Sequence, residues 1–287
     1  MMAETITKTR RLPTRGEVYV SQGEMVHSDT VIARGTVQNP ELHELKLFSM
    51  LNVDPGSVKN YLTKTEGDHV SRDEVLGVSR SFFTRRTRIA RSPIEGRIES
   101  LSHVTGRMII RGKPLVMEVS AFIPGIVKRV LPEEGAVIET TGIQLEGLFG
   151  IGGETYGELA LGVDSPELAL SAADIITEHK DKVIIGGALA SLDALREAVK
   201  VGACGVIVGG VDQKDLTYFL GYELGIPVTG DEETGLTVII TDGFGVNPME
   251  DDLFNQLSSS VGMLACINGA THVRSRSIRP KIIIPSS

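Results

Sequence analysis

Two pairs of glycines and one arginine-dense run are the residues of this chain best placed to do chemistry. Gly186-Gly187 and Gly209-Gly210 each follow a short apolar run, with a helical stretch between them. Amides without a Cβ can converge on an anion beside a helix N-terminus, so the spacing points to a phosphate site at Gly186, Gly187, Gly209 and Gly210. Asp242 closes a further apolar run, LTVIIT, and is the polar group expected to face the same ligand. Plain turn geometry is the competing account of the glycines. Arg274, Arg276, Arg279 and Lys281 would complete an anion site if they lay beside them.

The arginine run comprises Arg80, Arg85, Arg86, Arg88, Arg91 and Arg97 around Phe82 and Phe83. Alternate residues of a hairpin share a face, so several guanidiniums are expected to form one stripe. Phe82, Phe83, Arg85, Arg86 and Arg88 are therefore the candidate contact for a partner or a nucleic acid, with phosphates on arginine and bases on phenylalanine. A solvated hairpin attracted to the acidic part of the chain is the plainer alternative.

Other motifs carry less. GIGGETYG, from Gly150, lacks the Lys-Ser/Thr of a phosphate loop, and Asp242-Gly243-Phe244-Gly245 has no accompanying lid, lysine or catalytic loop. His27, His43, His69, His103, His179 and His272 show no ligand spacing, so no metal site is expected, and no cofactor. Cys204 and Cys266 lie in apolar runs and read as buried, inert thiols, which fits a reducing cytoplasm. No paired carboxylates or nucleophile–base set can be argued, so catalytic residues are left unassigned.

The elements that must position these residues divide the chain. Its 287 residues suffice for two domains. Residues 1–15 are polar, basic and without periodicity, and read as a flexible arm. From 16 to 160 the pattern is β-rich, with glycine turns at Gly23-Glu24, Gly67-Asp68 and Gly106, and an internal repeat that links Ser92–Gly96 with Ile123–Val127. Leu42, Leu45, Phe48 and Leu51 recur at helical spacing, which predicts a short helix there. From 161 to 287 the runs KVIIGG and GVIVGG alternate with helices at Ser191–Val201 and Asp212–Leu224, as in an α/β domain with a mostly parallel sheet. Ser191 is an N-cap and Gly202 a helix stop.

Gly67-Asp68-His69-Val70 and Ser92-Pro93-Ile94-Glu95-Gly96 resemble the turns of the barrel-sandwich hybrid superfamily, the fold of biotinyl and lipoyl carrier domains, over residues 15–113. That resemblance implies a hairpin presenting one lysine for the cofactor. No lysine lies between Lys64 and Lys113, and the expected tip reads Phe82-Phe83-Thr84-Arg85-Arg86. Arginine stays protonated and forms no such amide linkage. The same fold occurs without a carrier lysine in subunits of RNA polymerase and of quinone-reducing ion pumps, and the whole chain resembles prokaryotic proteins of uncharacterised activity.

The expectation is an α+β multidomain chain, a barrel-sandwich-like region followed by an α/β domain. Its leading function is non-catalytic binding or scaffolding with a protein partner. The alternatives are an enzyme or sensor for a phosphorylated small molecule, and nucleic-acid binding through the hairpin. Residues 1–113 carry 18 Lys and Arg against 13 Asp and Glu, and the remainder 11 against 24. The overall net charge of −8 disfavours nucleic acid. No membrane span is expected, an assembly of identical chains is compatible with the sequence, and the cytoplasm is the expected compartment.

Overall fold

The computed structural model describes residues 3–37, 42–80, 86–222, 234–271 and 279–286. It is strand-rich, of α+β class, with sheets that mix parallel and antiparallel pairs. The chain forms two compact units: residues 1–12, 17–33 and 119–287 make the first, residues 13–16 and 34–118 the second. Each has its own apolar core.

In the first unit the strands Glu154–Leu161, Lys182–Ile185, Gly205–Val211 and Thr237–Phe244 run parallel. Every residue of Gly205–Val211 is buried, as both faces of a covered parallel sheet require. Helix Leu192–Val201 starts as its sequence predicts, with the amide of Ala194 donating to Ser191 Oγ at 3.2 Å, and stops at Gly202 in the left-handed region. Helix Gln213–Leu220 stops at Gly221, short of the predicted Leu224.

The sheet then continues antiparallel through Leu264–Asn268, Lys281–Pro285 and Gly135–Glu146. Gly135–Glu146 runs on into Phe149–Ile151, which pairs with Thr237–Phe244 on the far side of the parallel strands. The amide of Gly147 donates to the Pro280 carbonyl at 3.0 Å, and the next amide, of Leu148, donates to the Ile240 carbonyl at 2.8 Å. Successive amides of a strand point to opposite edges, so this run is bonded on both sides and the sheet closes on itself. A mostly parallel α/β domain confined to 161–287 is thereby corrected. The parallel part begins at Glu154, inside the region read as β-rich, and closure recruits antiparallel strands from 135 onward.

Residues 4–11 form no flexible arm. Glu4–Arg11 is a strand paired with Gly135–Gly142, and Ile6 is buried. Strands Leu264–Asn268 and Lys281–Pro285 are a wall between two cores: Ala265, Ile267, Ile282 and Ile284 face one, Cys266 and Ile283 the other.

The internal repeat is written in hydrogen bonds. In the first unit Gly23 donates to the Val127 carbonyl and Val127 to that of Glu24; in the second, Gly67 donates to Ile98 and Ile98 to Asp68, all at 2.8–2.9 Å. The Ser21 amide reaches the Glu24 carboxylate, and Thr65 that of Asp68, both at 2.8 Å. His27 donates to Thr30 Oγ1 at 2.9 Å and Ser71 to the Glu74 carboxylate at 2.7 Å. Val26 pairs with Gly125 as Val70 pairs with Gly96. A Cβ on Gly125 would collide with the Glu139 carbonyl, and one on Gly96 with that of Arg111.

In chain order the copies are nested. The outer copy comprises 17–33 and 119–139, and the inner copy, 63–112, lies in the connection between those halves. Strands Val31–Val37 and Leu115–Ser120 are the outer counterparts of the inner hairpin Val75–Arg80 and Thr87–Arg91. The helix predicted from Leu42 is corrected too. Leu42–Lys46 is a strand paired with Arg107–Arg111, and only Leu47–Leu51 is helical, because sheet pairing outweighs a weak local period.

Candidate functional site

The four glycines do come together. Gly209 donates to the Gly187 carbonyl and Gly186 to that of Ile207, both at 2.8 Å. All four are buried, however, and their open sides face protein. A Cβ on Gly187 would collide with the Leu168 carbonyl, on Gly209 with that of Asn247, and on Gly210 with that of Gly245. The amides of Ala188 and Asn247 knit these segments together, donating to Leu168 at 2.8 Å and to Ala188 at 2.9 Å. The chain's own backbone thus fills the place expected for a phosphate, and close backbone approach accounts for the glycines. Asp242 lies beside Gly243, the register partner of Gly210, but is exposed and accepts from Thr241 Oγ1 at 2.6 Å. Arg274 and Arg276 lie outside the described residues.

The opposite ends of the parallel strands carry a groove of about 670 Å³, lined among others by Tyr156, Glu158, Asp181, Lys182 and Cys204. A hollow of about 350 Å³ adjoins it and shares Thr155 and Cys204. Burial pushes the Cys204 thiol up, against a hydrogen bond from Thr155, so it is no activated nucleophile. His179 is held structurally, its Nδ1 accepting from the Ile176 amide at 3.3 Å and its Nε2 3.2 Å from the Leu161 carbonyl. No group of three metal-binding side chains occurs among the described residues. Sequence reasoning missed this groove because strand edges, not a motif, line it.

The hairpin of the second unit is different. Val75–Arg80 and Thr87–Arg91 form a two-stranded sheet in which Ser79 faces Arg88 and Arg80 faces Thr87. Phe82, Phe83 and Arg85 lie outside the described residues. Arg88 shares its face with Ala90, whereas Arg80 and Arg91 share the other face with Ile89, so the single stripe expected from the sequence is split in two. Thr87, Arg88, Ile89 and Arg91 are exposed, Ile89 at 46%. Ala90 alone is buried, against helix Leu47–Leu51. Arg91 donates to the Asp73 carbonyl at 2.7 Å.

The charge of this unit is concentrated there. The second unit holds 15 Lys and Arg against 10 Asp and Glu. Arg80, Arg85, Arg86, Arg88 and Arg91 fall in twelve residues without one acid, which leaves the rest of the unit neutral. Five of the unit's described acids are held in ion pairs: Glu44 with Arg107, Glu74 with Lys64, Glu95 with Lys113, Glu99 with Arg111 and Glu118 with Arg34. A groove of about 540 Å³ near Glu66, Arg97 and Arg111 carries both signs and no net bias.

Comparison with family models, with curated proteins and with solved structures finds no match to this chain. Among the described residues no helix is long and apolar enough to cross a membrane.

Proposed function

We propose that this chain is a non-catalytic binding or scaffold protein. Two nested barrel-sandwich-type copies have no carrier lysine at the inner hairpin, and that hairpin docks an anionic macromolecular partner. The observation that carries the reading is that the second unit's net charge equals that of residues 80–91, where the described arginines Arg80, Arg86, Arg88 and Arg91 are all exposed. Charges so placed steer association and fix orientation more than they add affinity. Burial of Gly186, Gly187, Gly209 and Gly210 against the chain's own backbone weighs against a phosphate at those four residues.

The test is a titration of the full chain and of the Arg86→Glu/Arg88→Glu variant with a labelled 20-residue polyglutamate over a range of salt. Each exposed pair contributes about 0.5 kcal/mol, and a reversal both removes an attraction and adds a repulsion. Two reversals should therefore weaken binding about 30-fold. The parent's affinity should fall steeply as salt rises. Equal binding by parent and variant would sink the proposal, as would turnover of a substrate that depends on Asp242.

A further inference from the structure

We propose that the partner is an acidic peptide segment in extended conformation, added as a third strand along the open edge of Thr87–Arg91; this rests on the reading above. The hairpin sheet has two strands only, and Val75–Arg80 occupies one edge of Thr87–Arg91. The opposite edge has no backbone partner among the described residues. Four of the strand's five residues are exposed. Open edges accept a further strand through main-chain hydrogen bonds, with alternate side chains giving specificity.

The distribution of arginine selects the occupant. A ligand lying on one face of the sheet would meet either Arg88 or Arg80 and Arg91, never both sets. A strand in the plane of the sheet projects its own side chains to both faces, so carboxylates at successive positions reach both sets. The same arginines oppose each other when two copies of this edge meet, which discourages self-pairing. Ile89, exposed among them, offers one apolar contact to the added strand. Nucleic acid has no matching edge of amides, and base stacking would need aromatic side chains, which the described part of this strand lacks.

The experiment uses the full chain and a nine-residue peptide of glutamate and valine with acids on both faces. Two isomers, N-methylated at alternate residues so that one or the other edge loses its amide donors, keep the charge unchanged. A single-stranded oligodeoxynucleotide of equal charge is the third probe. An added strand makes about three new main-chain bonds, so blocking that edge should cost about tenfold in affinity. The expected result is that one isomer binds like the parent peptide and the other about tenfold weaker. Amides in Thr87–Arg91 should also gain protection from hydrogen exchange with the peptide and not with the oligonucleotide. Equal binding of both isomers and of the oligonucleotide, without protection, would overturn the added strand and leave polyanion docking standing. No binding of any probe would overturn both.

Discussion

Gly210→Ala and Gly186→Ala make a matched pair that asks what the glycines are for. Neither residue has a left-handed backbone, so alanine is conformationally allowed at both. At Gly186 the added methyl would lie 3.3 Å from Val208 Cγ2 and 3.4 Å from Leu170 Cδ2, where side chains yield by a few tenths of an ångström. At Gly210 it would collide with the Gly245 carbonyl and lie 3.0 Å from that of Ala188. Backbone on two sides cannot rotate away. Alanine lowers the entropy of the unfolded chain, which stabilises by about 0.4–1 kcal/mol. Overpacking costs about 1–3 kcal/mol, and rigid carbonyls place Gly210 at the upper end. The net expectation is a loss of about 2 kcal/mol for Gly210→Ala, or about 4–8 °C in Tm, and a change within about 1 °C for Gly186→Ala. Thermal unfolding in phosphate-free buffer, repeated with phosphate added, reads both. If the glycines served an anion, both variants would fold like the parent and lose a phosphate-dependent rise in Tm. Equal tolerance of the two substitutions would refute the packing account.

Cys266, buried 3.6 Å from Ser28 Oγ, has its thiol pushed up to about 11 from 9.0 by burial, so a thiol reagent at pH 8 should label Cys204 slowly and Cys266 only on unfolding. A raised pKa means the stability it contributes is present below pH 9 and lost between about 9 and 11; at about 1.36 kcal/mol per unit, the parent should lose up to about 3 kcal/mol there relative to Cys266→Ala. Glu154→Gln should cost about 1–2 kcal/mol in denaturant melts, because Arg10, held by Glu154 at 2.6 and 2.7 Å, over Phe122 and against the Ser120 carbonyl, keeps its charge in a site only 12% exposed; an unchanged midpoint would remove the pair from the account. Replacing residues 38–114 by a two-residue Asn-Gly turn should leave a cooperatively melting protein, since the connection excised contains the inner copy with its own core; loss of cooperative unfolding would deny the outer copy its independence.

What could be read in the sequence was local. Ser191, Gly202 and the apolar runs 183–185 and 206–208 declare a helix and two covered strands because capping and hydrophobic burial act within a few residues. The glycine–acid turns declared a repeat for the same reason: Glu24 and Asp68 bond an amide three residues back. The strand Glu4–Arg11 was hidden because Lys8 and Arg10 follow Ile6 on one face, and only their surroundings show why cations are tolerated there. Burial and Lys281 hold the Lys8 ammonium below the usual lysine range, while Arg10 is neutralised by Glu154. Leu42–Lys46 was misread since its partner strand lies more than sixty residues away. Closure of the large sheet required Leu148 to find Ile240 and Gly147 to find Pro280, pairings no local window contains. For the candidate sites exposure was not legible: Gly186, Gly187, Gly209 and Gly210 lie on neighbouring strand ends and are buried.

The nesting of the copies bears on where a partner can act. In the outer copy the strands equivalent to the hairpin are joined by residues 38–114, which contain the inner copy, so the connection that would form a tip there is structural. In the inner copy the equivalent strands, Val75–Arg80 and Thr87–Arg91, are joined by six residues and lie in a sheet of their own. The inner hairpin is thus a sheet of two strands whose second edge has no backbone partner among the described residues, and the excess positive charge of its unit falls within residues 80–91. Stability does not explain this charge: five arginines in twelve residues repel one another, and among the described ones only Arg91 is shown bonded, to a backbone carbonyl. Protection of an open edge against self-pairing would need only one or two charges. The surplus is what an edge built to receive carboxylates on both faces would carry, and charge-reversed Arg88, tested alone against the acidic peptide, should lose binding without lowering Tm.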